Sequence, residues 1–144
     1  MKLVVQRVIQ AKVTVNKKII GQIGKGYLVL VGFRVGDSEK NISDMAKKLI
    51  NLRIMADKNQ KMNLSLADTH AELLLISQFT LYADTSNRRP GFTKAAKPDT
   101  AKNLFDQFVK ECQKSGIKIQ TGEFGAYMQV EIFNDGPVTI ILEN

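Results

Sequence analysis

The opening stretch constrains the fold more than any other. From Lys2 to Val15, one parity carries Leu3, Val5, Ile9, Ala11, Val13 and Val15, and the other carries Lys2, Gln6, Gln10, Lys12 and Thr14. Val4 and Val8 are the exceptions. Side chains of a strand alternate between faces, so period two over this length predicts one long strand with a single buried face. Asn16-Lys17-Lys18 turns it into a second strand, Ile19 to Ile23. Gly24-Lys25-Gly26 reads as another turn, into Tyr27 to Phe33, whose continuous apolar run predicts a strand covered on both faces. The opening is expected to be an antiparallel meander.

Further along, Ile42, Met45, Ala46, Leu49 and Ile50 recur at helical spacing, with Asp37 or Ser38 as the cap. Arg53-Ile54-Met55 reads as a short strand and Asp57 to Gln60 as a turn. Leu73 to Leu81 reads as a buried strand. Tyr82 to Pro98 has no periodicity and is rich in turn formers and charge. A loop of that length in a small domain is more often functional than idle. Beyond Pro98, a helix carries Ala101, Leu104, Phe105, Phe108, Val109 and Cys112 on one face and stops by Gly116. Strands are expected near 117–121, 128–134 and 138–143. The order βββ-α-ββ-α-βββ suits an α+β domain in which two main helices cover one side of mixed and antiparallel sheets.

Composition then narrows the chemistry. A chain of 144 residues is the size of one domain. One cysteine rules out an intrachain disulfide, and one histidine, His70, cannot supply a multi-histidine metal site. The longest apolar runs, such as Leu73 to Ile76, fall far short of the ~20 residues that span a bilayer. No signal-peptide core follows Met1, because Gln6 and Arg7 interrupt the apolar run. A cytoplasmic location and no membrane partner are the expectation. The net charge of +7 is uneven: residues 1–50 hold 10 basic and 3 acidic side chains, whereas residues 101–144 hold 4 and 6. A field of that sign attracts polyanions, nucleic acid among them.

The inventory of reactive groups is short. His70, in a polar strand entry, is the sole imidazole for a nucleophile–base pair, and a solvated histidine is the plainer reading. Cys112 occupies a helix core position. Gly24-Lys25-Gly26 and Gly122-Glu123-Phe124-Gly125 lack the context of a phosphate cradle and read as turns. Two stretches resist a structural explanation. In Ser77-Gln78-Phe79-Thr80-Leu81 an apolar strand abruptly acquires hydroxyls and an amide, which must find partners because an unpaired one costs roughly 1–3 kcal/mol. In Asn134-Asp135-Gly136-Pro137-Val138-Thr139, hairpin residues run into a proline that removes a ladder donor. A cis Gly136–Pro137 peptide is compatible with that pattern, and the sequence leaves the isomer open.

These two motifs, with Gln6-Arg7-Val8, Lys61-Met62-Asn63 and Asn87-Arg88-Arg89-Pro90 in the same order, give the chain an end-to-end resemblance to the D-aminoacyl-tRNA deacylases, once called D-tyrosyl-tRNA deacylases. The resemblance implies one barrel-like deacylase domain over residues 1–144. It implies a hydrolase that cleaves the ester between a D-amino acid, or misattached glycine, and the terminal adenosine of tRNA. It also implies a homodimer in which the Gly-cis-Pro motif, here Gly136 and Pro137, enters the partner's site and rejects L side chains by clash. Ser77, Gln78, Phe79 and Thr80 would line that site. The Phe79 N–H would hold the scissile carbonyl oxygen, with the Ser77 hydroxyl near the terminal ribose, and Arg7 would brace the proline motif. Thr80 is either a nucleophile or a structural, water-orienting hydroxyl. Met128 is either core or pocket lining. Arg88, Arg89 and Lys94 are candidate tRNA contacts. Neither a metal nor another cofactor is expected, because an activated ester needs only positioning, an oxyanion donor and water. A non-catalytic RNA-binding module and a small esterase using Ser77 or Thr80 are the alternatives.

Overall fold

Strand β1 (Lys2–Val15) is the hub of the sheet, and its two edges are used differently. A computed structural model describes residues 1–144. Along one edge of β1 lie β3 (Gly26–Gly32), opposite Lys2 to Val8, and β2 (Lys18–Ile23), opposite Ala11 to Val15. Along the other edge lies β8 (Gln129–Glu143), antiparallel to it from Lys2 to Thr14. Strand β6 (Glu72–Ser77) runs parallel to β3, and β7 (Ile119–Thr121) runs parallel to β6.

This corrects the expected meander. Strands β2 and β3 do not pair with each other; they follow one another along the same edge of β1. Gly24-Lys25 is therefore a kink between collinear strands rather than a hairpin turn. The alternation of β1 is also broken once. Val8 is fully buried while Ile9 is 62% exposed, the reverse of the simple parity reading. The cause lies in the β1–β8 register, which shifts on both sides of Val8.

The sheet curls until β2 approaches β7. Gly21 marks the place, since a Cβ there would sit 2.8 Å from the carbonyl oxygen of Thr121. Val8, Ala11, Val13, Ile23, Leu28, Leu74 and Ile76 fill the inside of this nearly closed barrel. The larger core lies on the outer face, where Leu3, Val5, Val29, Val31, Leu73 and Leu75 meet two helices. These are α1 (Glu39–Ile50) and α3 (Pro98–Gln113), which present Ile42, Met45 and Leu49, and Leu104, Phe105 and Phe108. Pro98 starts α3 at a position where a missing N–H costs nothing. Ser38, not Asp37, caps α1. The Asp37 carboxylate instead takes the Met1 ammonium at 2.7 Å and the Arg34 N–H at 2.8 Å.

Three further boundaries differ from expectation. The short strand is β4 (Met55–Ala56) rather than Arg53–Met55, and it pairs with an unexpected β5 (Met62–Leu64), followed by a single-turn helix α2 (Leu66–Thr69). The strand expected over Leu73–Leu81 ends at Ser77 and gives way to a 3-10 turn over Phe79–Tyr82. The two closing strands are one, β8, which carries the proline motif as an interruption of its ladder.

Candidate active site

The Ser77–Thr80 stretch sits where a parallel ladder runs out. Ser77 is the last residue of β6 in register with β3, opposite Val31, and the Gln78 N–H donates to the Val31 carbonyl at 2.7 Å. The chain then tightens into the 3-10 turn. The N–H of Phe79 falls at the first position of that turn, where no carbonyl of the turn can accept it. The Phe79 ring is half exposed and meets Phe92 edge-on, with centroids 4.9 Å apart.

Beside this turn lies a cavity of about 740 Å³. Its walls come from Ser77, Gln78 and Phe79, from the Phe92–Lys97 loop, from the start of α3, and from the 124–128 loop with Met128. Only one charged side chain, Lys97, lines it, and no carboxylate, imidazole or thiol does. Within the chain the cavity therefore offers hydroxyl, amide and main-chain groups but no general base. Such a site suits an ester that is already activated, where positioning and a main-chain donor carry the reaction.

Thr80 is adjacent to this cavity in sequence but is not part of its wall. Its hydroxyl oxygen accepts a hydrogen bond from the Gln78 side-chain amide at 2.6 Å. A nucleophilic hydroxyl needs a base to take its proton, and none is in place here. His70 is remote from this site: it ends α2 in the left-handed conformation, φ 52°, and is exposed. Cys112 is fully buried, and burial pushes its thiol up to about 12.

Gly136 and Pro137 do not join this cavity within the chain. The ladder between β1 and β8 passes from Gln6 opposite Thr139 directly to Val8 opposite Asn134. Four residues, Asp135 to Val138, thus stand opposite Arg7 alone and are thrust out of the ladder. The Gly136–Pro137 peptide is cis, and Gly136 has φ 131°. A Cβ on Gly136 would lie 2.8 Å from both the main-chain nitrogen and a methyl of Val138, so the position demands glycine. Arg7 is 9% exposed and works at the base of the bulge. Its Nε donates to the Asp135 carbonyl at 3.1 Å and faces the Asp135 carboxylate at 3.1 Å, while Nη1 donates to the Ile54 carbonyl at 2.7 Å.

The loop cations divide. Arg88 and Arg89 are exposed and line no part of the cavity. Lys94 faces Asp84 at 3.3 Å. The Ser86 N–H and hydroxyl, with Lys94 beside them, hold the Asp84 carboxyl down to about 2. Phe92, Phe124 and Ala101 line the cavity without having been singled out in the sequence. An aromatic residue inside a charged, proline- and glycine-rich loop was the available signal for Phe92; Phe124 and Ala101 gave none, since they read as turn and core.

The chain matches the model of the family described as D-Tyr-tRNA(Tyr) deacylase over residues 4–143. It is 52% identical to the D-aminoacyl-tRNA deacylase of Clostridioides difficile (strain 630), over 100% of this chain and 97% of that protein. It is 51% identical, with the same coverage, to the D-aminoacyl-tRNA deacylase of Thermosipho africanus (strain TCF52B). Among solved structures it resembles a c-Myc DNA unwinding element binding protein, with 41% identity, a TM-score of 0.94 and coverage of 100% and 99% of the two chains. A structure described as a probable eukaryotic D-amino acid tRNA deacylase shares the fold at 16% identity, with a TM-score of 0.86 and coverage of 98% and 97%.

Proposed function

The chain belongs to the D-Tyr-tRNA(Tyr) deacylase family, hydrolases of the ester in D-aminoacyl-tRNA, and we propose that its selectivity is made between two copies of the chain. In this reading the terminal aminoacyl-adenosine of tRNA enters the cavity beside Ser77, Gln78 and Phe79. The Phe79 N–H receives the carbonyl oxygen as it becomes an oxyanion, and water is the nucleophile. The Ser77 hydroxyl lies by the terminal ribose. Gly136 and Pro137 of the second copy stand across the α-carbon, leave no room for an L side chain, and ignore what a D side chain is. Glycine, with no side chain to reject, is released from tRNA as well.

The observation that carries this reading is the placement of the bulge. Asp135–Val138 is pushed out of the ladder, braced by Arg7, and absent from its own protomer's cavity. That placement supports a role for it in the cavity of another copy. The surroundings support a partner. Strand β8 pairs with β1 alone, which leaves its other edge open. Phe133 and Ile141 on β8, and Ile9 on β1 near Phe133, are more than half exposed. An open edge with apolar side chains is a surface that natural proteins cover.

The test is release of amino acid from D-tyrosyl-, L-tyrosyl- and glycyl-tRNA. The expected result is rapid release from the first and third, with L-tyrosyl-tRNA no faster than in buffer. Equal release from the D and L esters would refute the filter assigned to Gly136 and Pro137.

A further inference from the structure

A second cavity, of about 630 Å³, is lined by the later residues of the 3-10 turn, Leu81 and Tyr82. The two share Thr93 as a common wall, and Leu81 and Tyr82 continue into the second cavity the turn that begins with Phe79 in the first. The segment between them is held firmly. The Val35 N–H donates to the Lys94 carbonyl at 3.1 Å, and the Ala96 N–H to the Phe33 carbonyl at 3.0 Å.

The second cavity is lined by three cations, Lys2, Arg34 and Lys94, and by one carboxylate, Glu143. Each cation has an acidic neighbour, but only at long range. Lys2 is 3.4 Å from Glu143, Lys94 is 3.3 Å from Asp84, and Arg34 is 3.7 Å from Asp37. A well-formed charge-assisted hydrogen bond runs to about 2.7–2.9 Å, so all three retain capacity for a better acceptor. Arg34 also donates to a main-chain oxygen of Asn144 at 2.9 Å, which aims its guanidinium. Lys2 is further set by the Tyr82 ring, whose centroid is 5.0 Å from the ammonium. At this wall the Tyr82 hydroxyl is the one buried side-chain polar atom in the protein with no hydrogen-bond partner, in a residue only 7% exposed.

We propose that this cavity is a phosphodiester subsite, in which Lys2, Arg34 and Lys94 hold the backbone of the tRNA acceptor end, beginning with the 5′-phosphate of the adenosine in the neighbouring cavity. The inference rests on the aminoacyl-tRNA reading above and extends it to the part of the substrate that the first cavity does not hold. A terminal adenosine bound beside Phe79 must lead its 5′-phosphate out of an almost uncharged pocket. The route past Thr93 brings that phosphate directly to the three cations. A phosphate oxygen there would give Lys2 and Lys94 a closer partner than their present carboxylates.

The experiment compares two esters that share the reacting end. One is D-tyrosyl-tRNA; the other is D-tyrosyl-adenosine, which has no phosphate. Arg34→Gln and Lys2→Gln are expected to lower kcat/KM on the tRNA ester about five- to tenfold relative to the adenosine ester, chiefly through KM. Each is also expected to flatten the salt dependence of the tRNA reaction by about 0.7 in the log–log slope, the share of one single-strand phosphate contact. Arg34→Glu should widen the ratio further. A fall of equal size on both esters, or an unchanged ratio and slope, would overturn the subsite. Failure of the wild-type protein to hydrolyse either ester would instead strike the deacylase reading itself, so the two failures are distinguishable.

Discussion

The side-chain amide of Gln78 donates to the hydroxyl oxygen of Thr80 at 2.6 Å, and so engages as an acceptor a hydroxyl whose residue type and position leave it open as a nucleophile. Removing that hydroxyl removes no base and no oxyanion donor. Thr80→Ala is expected to keep kcat within about threefold on D-tyrosyl-tRNA, whereas losing a true nucleophile costs about a thousandfold or more. Single-turnover kinetics with the folded variant checks this: an inactive, folded Thr80→Ala would favour a covalent route.

Arg7 satisfies carbonyls in two directions, toward Ile54 and toward Asp135, from a nearly buried position. Lysine cannot reproduce that geometry, because its charge is a point and its donors are not splayed in a plane. Arg7→Lys is expected to lower activity on D-tyrosyl-tRNA by about tenfold or more, as a misplaced reacting geometry does, and to loosen rejection of L-tyrosyl-tRNA. Arg7→Ala, which leaves buried partners unpaired, should also cost roughly 2–4 kcal/mol of stability. Urea denaturation alongside both assays separates the two effects. Unchanged selectivity in a folded Arg7→Lys protein would argue against Arg7 as the brace.

The open edge of β8 and its exposed apolar residues predict association. Light scattering is expected to give a mass near twice 16.1 kDa. Phe133→Asp, which places a charge on the open strand beside the exposed Ile9, should yield monomer and lose deacylation together with dimer. A fully active monomer would contradict a site completed by a second copy.

Cys112 sets a pH limit. Burial raises its thiol from the ordinary 9.0 to about 12, so the folded chain holds that proton more tightly than the unfolded chain does. The resulting stability is fully present below 9.0 and is lost as pH climbs toward about 12. Tyr27, also raised by burial to about 12, acts with the same sign. The thermal midpoint is expected to fall across that window, and less steeply in Cys112→Ala. At mildly alkaline pH, alkylation of the native thiol should be at least ~100-fold slower than in urea. Rapid labelling of the native protein would contradict this burial.

Local pattern carried much of the architecture. The alternation of Lys2–Val15 and the helical spacing of Ile42 to Ile50 and of Ala101 to Cys112 each encode which face is buried, and the structure buries those faces. The places where reading failed share a cause: pairing between distant segments. Nothing around Gly24-Lys25 distinguishes a turn from a kink between collinear strands; the choice follows from β1 being long enough to accept both β2 and β3 on one edge. Ile9 is exposed because β8 loses register opposite Arg7, more than a hundred residues away. The end of β6 at Ser77 reflects the end of β3 as a ladder partner, not a change in its own propensity.

The same division runs through the site. By itself the sequence determined the fold class and a small, basic, base-poor set of chemical groups. It also marked the two polar interruptions, Ser77–Thr80 and Asn134–Thr139, as exceptional within apolar strands. Tertiary structure decided which of those groups share a cavity. It set Ser77, Gln78 and Phe79 in one wall, tied the Thr80 hydroxyl to Gln78, and carried Gly136 and Pro137 out of the ladder and away from their own pocket. The physical reason is that strand pairing and register are cooperative, long-range properties. A hydroxyl's partner, or the direction in which a bulge projects, is fixed only when the opposing strand is in place.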